Sequence, residues 1–277
     1  MERFSRALRR WPLQLFLTVM AVFWLVPTVG LFVNSIRPVE AYGTSGWWEF
    51  FTKPTEITLE SYRGFFDNSS LVESVWNTVL ISVPTTVLVV VVASLAGYAF
   101  AWMQFPGRDA MFLLVVALLV VPLQMAFIPV FQLYRTIGLS GIPAIVVFHV
   151  SFGLPFAVFL LRNFFAGLPR DLFEAARLDG ASEFRIFVRI VLPLGLPAIG
   201  ALSIFQFLWV WNDLLVALIF AGDNAPITVA IARQLGQFSS NIGVIAPGAF
   251  VSMSVPLVVF FAFQRHFEAG LLGGSVK

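Results

Sequence analysis

The chain has 277 residues, of which 59% are hydrophobic and only 12% charged, with a formal net charge of +2. That is about half the charge usual for a soluble domain, so a water-soluble fold is excluded and an integral membrane protein is indicated. The absence of cysteine rules out a disulfide framework, a thiol nucleophile and the common zinc and iron–sulfur ligand sets. Two histidines, His149 and His266, leave little for a metal site, and the small net charge gives no footprint for nucleic acid.

Stretches free of Asp, Glu, Lys and Arg cover residues 11–36, 74–107, 110–134, 136–161, 190–212 and 234–264. Each is long enough for one membrane-spanning helix, which needs about 20 apolar residues. The expected fold class is therefore an all-α polytopic membrane protein with six transmembrane helices in one membrane domain, residues 1–277. The first span is expected to stay as an anchor, because its apolar core is long and no small-residue cleavage site follows before Asn34-Ser35. Twelve of the seventeen basic residues fall in segments that share a side with the amino terminus. The positive-inside rule then puts both termini and the 162–189 loop in the cytoplasm of a multi-pass protein of the cell membrane.

After the first span, residues 37–73 form an acidic outer loop with Glu40, Glu49, Glu56, Glu60, Asp67 and Glu73. Its Gly46-Trp47-Trp48 is expected in the headgroup belt, where tryptophan is enriched. In the second span, Ala93, Gly97 and Ala101 recur every four residues and predict a close helix contact. Asn77 lies near the start of that span. Prolines 84, 122, 129, 155 and 256 lie within spans and mark bent, packed helices. In the fourth span, His149 has no histidine or carboxylate nearby in sequence and is expected to pack with a hydrogen bond.

Between the fourth and fifth spans, residues 174–193 read EAARLDGASEFRIFVRIVLP. Pro169 can open a helix, and Asp171 and Glu174 sit near its positive end. Leu172, Phe173, Ala176 and Leu178 are expected to make an apolar side. The helix is expected to end at Gly180, where glycine allows a positive φ. A second short helix is expected near Ser182, with Leu192-Pro193 starting the fifth span. In that span Gln206 and Asp213 lie seven residues apart, about two turns, with Trp209 beside them. Asp213 is the acidic residue within a span, so Asn77, Gln206, Trp209, Asn212 and Asp213 are the candidate translocation path. The polar outer loop 221–243 supplies Asn224, Gln234 and Gln237 as candidate contacts to an external partner.

The Glu174-Ala175-Ala176, Gly180, Ile190 and Leu192-Pro193 pattern resembles the EAA motif of membrane subunits of ATP-binding-cassette importers. Ala99-Phe100-Ala101 with Phe105-Pro106-Gly107-Arg108, Trp211-Asn212-Asp213 and the tail from Gln264 to Lys277 are similar to blocks of the six-span, maltose-permease-like carbohydrate branch. The resemblance implies a type I importer permease fold with a cytoplasmic coupling helix, and no catalysis by this chain itself. Glu174, Ala175, Ala176, Leu178, Asp179, Gly180, Leu192 and Pro193 would then form the ATPase-coupling set, with the two alanines keeping the helix thin enough to enter a partner's cleft. The tail from Gln264 onward would reach the ATPase interface.

The implied partners are a second, different permease subunit, two ATP-binding subunits, an extracytoplasmic solute-binding protein, the lipid bilayer and a sugar. ATP and magnesium would sit on the ATPase subunits, since this chain has no Gly-x-x-x-x-Gly-Lys-Ser/Thr loop and is expected to bind neither cofactor nor metal. A non-sugar importer shares the docking motif. A proton-coupled secondary carrier with Asp213 as its proton site is the reading from a different class.

Overall fold

The computed structural model describes residues 2–52, 57–235 and 242–273. Its elements are α1 (Glu2–Ser35), two 3₁₀ turns (Val39–Gly43 and Trp47–Phe51), α2 (Glu60–Asp67), α3 (Ser69–Trp102), α4 (Arg108–Leu118), α5 (Leu123–Thr136), α6 (Gly141–Ala166), α7 (Arg170–Leu178), α8 (Glu183–Ile186), α9 (Leu192–Trp211), α10 (Leu215–Phe220), α11 (Ile227–Leu235) and α12 (Ile242–Gly273). A π-helical turn, Phe187–Val191, joins α8 to α9. Among the described residues five helices are long and apolar enough to cross a membrane, or six if α4 and α5 count as one broken span.

That broken span differs from the single helix expected over 110–134. α4 and α5 are bent by 101°, and Pro122 stands before α5 in an extended conformation, ψ 125°. Proline has no N–H to give and disfavours the α region for the residue before it, and at Pro122 this coincides with the break. Pro84, Pro129 and Pro155, by contrast, sit inside continuous helices.

The chain divides into two compact units, residues 1–72 with 231–253 and residues 73–230 with 254–277. In the first, the Trp47 indole lies against Gly30 of α1, where a Cβ would come within 3.0 Å of the ring. Trp47 thus packs internally, whereas Trp48 is 61% exposed. Arg37 is buried and donates to Asn34 Oδ1 (3.4 Å), the Ala41 carbonyl (3.5 Å) and Ser45 Oγ. Phe65 of α2 is fully buried and lies 3.0 Å from where a Cβ on Gly248 would stand; Phe32 meets Phe250 with ring centroids 5.3 Å apart.

The second unit carries two apolar clusters. One gathers Val89, Tyr98, Leu161, Phe165, Phe173, Val191 and Leu202 around the ends of α3, α6 and α9. The other gathers Ile81, Phe127, Phe148, Val216 and Phe220. Six polar side chains on α3 are buried, and three of them, Thr78, Thr85 and Ser94, turn onto their own helix. Thr78 bonds the Ser74 carbonyl at 2.8 Å, Thr85 that of Ile81 at 2.6 Å and Ser94 that of Val90 at 2.7 Å. In a helix facing hydrocarbon this local bonding satisfies hydroxyls without a partner element. The expected small-residue contact is present: Ala93 is fully buried, and a Cβ on Gly97 would lie 3.0 Å from the Arg162 amide nitrogen and 3.1 Å from Leu161 Cβ. Gly97→Val is therefore expected to force α3 and α6 apart at a cost of roughly 1–3 kcal/mol, read as a lower midpoint of thermal aggregation for the purified protein in detergent.

Candidate functional site

The loop between α6 and α9 is built around a short helix with a defined stop. α7 has nine residues, Asp171 in its first turn and Arg177 in its last, charges that suit the helix dipole. Past Asp179 the Gly180 amide bonds the Arg177 carbonyl and the Ala181 amide bonds the Ala176 carbonyl, both at 3.0 Å, with Gly180 at φ +74°. These two bonds around a left-handed residue form a Schellman motif. Ser182 then caps the next helix, its side chain accepting from the Arg185 amide at 3.4 Å.

A nine-residue helix does not hold itself in water, and α7 is held from outside. Phe173 is fully buried and stacks on Trp102 of α3 with ring centroids 3.7 Å apart and planes 13° apart. Trp102 is fixed in turn by its Nε1–H, which donates to the Phe165 carbonyl at 2.8 Å. On the other side of the turn Arg177 Nε donates to Glu183 Oε1 at 3.0 Å, and the Tyr98 hydroxyl donates to Glu183 Oε2. The hydrogen bond to Glu183 raises the Arg177 guanidinium above its ordinary value, so it stays charged at any working pH. Both members of that ion pair are about 40% exposed, so it steers the turn more than it stabilises the fold. Tyr98, Trp102 and Phe165 were not singled out from the sequence; the spacing within the loop carries no trace of side chains far away in the chain.

Two expectations about this loop change. Leu172, Phe173, Ala176 and Leu178 do not form one apolar side: Phe173 is buried, Ala176 half-buried, and Leu178 is 89% exposed. At 100° per residue Leu178 points well away from Phe173, so α7 seats with one face and presents Leu178, Glu174, Ala175 and Asp179 on the exposed side. Leu192-Pro193 opens α9 as expected, but the helical backbone does not begin there. The membrane-crossing helix runs from Glu183 to Trp211, and the π turn carries it through, with the Leu192 amide bonding the Phe187 carbonyl five residues back. A wider turn of this kind absorbs the irregularity next to a proline and often lies at functional sites.

The candidate path residues separate. Asn77 is buried, and its Nδ2 donates to the Ala225 carbonyl at 3.3 Å. Asn212 is exposed and bonds the Leu208 carbonyl of its own helix at 2.8 Å. Asp213 lies just beyond the end of α9 instead of within the span. Its carboxylate accepts from the Val216 and Ala217 amides at 3.4 and 3.0 Å, which caps the first turn of α10. His149 Nε2 stands 3.5 Å from Asp213 Oδ2, and the His149 ring meets Trp209 edge-on at 5.0 Å. His149 thus has a carboxylate neighbour that no local spacing could reveal.

Gln206 is buried against Gly153 of α6, where a Cβ would lie 2.8 Å from its Nε2. Gln206 and Trp209 line a cavity of about 310 Å³ with Phe152, Phe156 and Phe205. An asparagine oxygen can keep one of these two amide bonds, so Asp213→Asn is expected to cost less than Asp213→Ala, which removes both at about 1 kcal/mol. Thermal unfolding of the two variants checks the order.

Of the outer residues, Asn224 is exposed with its amide over Gly141, and Gln234 is half-buried on α11. Gln237 and residues 274–277 lie outside the described residues.

A long apolar helix set with one short, exposed, stapled helix between spans is the architecture of an importer's membrane subunit, and the comparisons agree. Residues 90–273 match the family of binding-protein-dependent transport system inner membrane components, and the chain belongs to that family. It is 45% identical over 96% of its length, and 92% of the relative's, to the osmoprotective compounds uptake permease protein GgtD of Synechocystis. It is 47% identical over 85% of its length, and 65% of the relative's, to the alpha-glucoside transport system permease protein AglG of Rhizobium meliloti. In fold it is similar to a chain of a bacterial ABC transporter involved in alginate import, with a TM-score of 0.77, 21% identity and coverage of 95% and 97% of the two chains.

Proposed function

We propose that this chain is one of two different permease subunits of a sugar importer, working with two ATP-binding subunits and an extracytoplasmic solute-binding protein. The observation that carries the reading is the seating of α7: one face is anchored by Phe173 and the turn closed by Gly180, while Leu178 and Glu174 stay free for a partner. Closure of the ATPase subunits would pull α7, and the α8–α9 helix rigidly continued from its turn would swing with it. ATP and magnesium belong to the partner subunits, both termini lie in the cytoplasm, and this chain performs no catalysis of its own.

The cargo is a di- or oligosaccharide or a glycoside. Relatives named for alpha-glucoside and for trehalose transport support a sugar, and one is named for uptake of osmoprotective compounds. The family match favours the importer over the proton carrier.

The test is magnesium-dependent ATPase activity of the complex that co-purifies with this chain, reconstituted in lipid and supplied with candidate binding proteins. Stimulation by a glycoside-loaded binding protein is expected. Stimulation confined to a peptide- or phosphate-loaded binding protein would move the chain to a non-sugar importer. Solute accumulation by the chain alone, collapsed by an uncoupler, would overturn the importer reading.

A further inference from the structure

We propose that the arginine-lined cleft between α7 and the ends of α3 and α6 binds the phosphodiester headgroup of an anionic phospholipid. The cleft measures about 550 Å³, and its walls carry Arg108, Arg162, Arg170 and Arg177, with Glu174 the carboxylate among its described lining residues. Two of the four guanidiniums are already matched: Arg177 by Glu183 at 3.0 Å and Arg108 by Asp109 at 2.9 Å. Arg162 and Arg170 have no carboxylate partner among the described residues. Arg162 gives one Nη1–H to the neutral Asn163 amide oxygen at 3.1 Å and lies 4.7 Å over the Phe112 ring. Its Nε is buried with no acceptor. With Arg162 and Arg170 unmatched and Glu174 the carboxylate of the described lining, the cleft carries a net positive charge that an anion would balance.

Position selects the source of that anion. Trp102 is the last residue of the membrane-crossing α3 and Arg162 lies in the closing turns of membrane-crossing α6. Both lie at span ends that charge placement puts on the cytoplasmic side, and a tryptophan at a span end suits the headgroup level, where that residue concentrates. Basic pockets between spans at this level take anionic headgroups. A phosphodiester offers two oxygens to the fork of a guanidinium, and arginine matches that geometry better than lysine. Leading away from Arg108, α4 exposes Leu113 and Leu114 by 68% and 63%, an apolar track for the acyl chains. A headgroup held here touches α3, α4, α6 and α7 together and so braces the short helix against the spans.

The complete transporter, reconstituted in nanodiscs of equal phosphatidylglycerol and phosphatidylcholine, is released for native mass spectrometry and the retained lipids are counted. Wild type is expected to retain phosphatidylglycerol over phosphatidylcholine. R162Q/R170Q should lose it by roughly thirtyfold, at about a factor of five for each basic residue near an anionic headgroup, and R162K/R170K should recover most of it. Equal retention of the two lipids by wild type, or undiminished phosphatidylglycerol in R162Q/R170Q, overturns the proposal. So does displacement by millimolar inorganic phosphate, which would make the ligand a free anion. Retention by the permease pair that vanishes once the ATPase subunits bind would assign the cleft to a protein carboxylate instead.

Discussion

Gly180→Val is expected to abolish binding-protein-stimulated ATP hydrolysis and uptake while leaving membrane insertion unchanged. The reason is backbone conformation and not crowding. A Cβ at this position meets no atom within 4 Å, yet φ is +74°. For an L-residue that conformation costs roughly 1–2 kcal/mol, and a β-branched side chain is a poorer fit still. The chain would relieve the strain by leaving the left-handed region, breaking the two 3.0 Å bonds that close the turn and redirecting α7. Asparagine visits that region readily, so Gly180→Asn should keep most of the activity. Equal loss in both variants would mean that side-chain volume at the docking face, and not the turn, is what matters. Normal uptake in Gly180→Val would remove the coupling role from this loop altogether.

Phe173→Ala is expected to have the larger effect on stability. Truncating a fully buried phenylalanine costs about 3–5 kcal/mol, and here it also removes the parallel stack on Trp102. Nine residues cannot stay helical unaided, so α7 should come away from the spans while these remain inserted. The expected result is faster proteolysis between residues 168 and 182 together with loss of transport. Leu178→Ala is the comparison: that side chain is 89% exposed, and its removal should leave protease resistance intact while weakening retention of the ATPase subunits on purification. Identical behaviour of the two variants would contradict the division of α7 into a seating face and a presenting face.

The membrane class, the apolar stretches and the docking segment were legible in the chain because each depends on local composition or on spacing of a few residues. The Ala93, Gly97 and Ala101 contact was legible for the same reason. Pro122 was legible as a bend but not as a 101° break, since Pro84, Pro129 and Pro155 sit inside continuous helices and proline alone does not decide which helix is interrupted. Leu178 was grouped with Phe173 by hydrophobicity, whereas the direction in which each points follows from which neighbour α7 meets. By spacing Asp213 reads as the acidic residue of a span, toward its outer end; it lies just after the helix end, where its oxygens serve α10.

By itself, then, the sequence determined that this is a helical membrane protein with a short glycine-terminated helix between two spans, because apolar length, charge placement and a left-handed turn are local properties of the chain; the importer type came from the resemblance of the Glu174-Ala175-Ala176 to Pro193 pattern to a family motif. Tertiary structure alone decided what holds that helix. Trp102 beneath Phe173, Tyr98 on Glu183 and Asp213 beside His149 are pairings between residues distant in sequence. They exist because the packing of α3, α6 and α9 brings those side chains together, and no pattern along the chain encodes a distance across it.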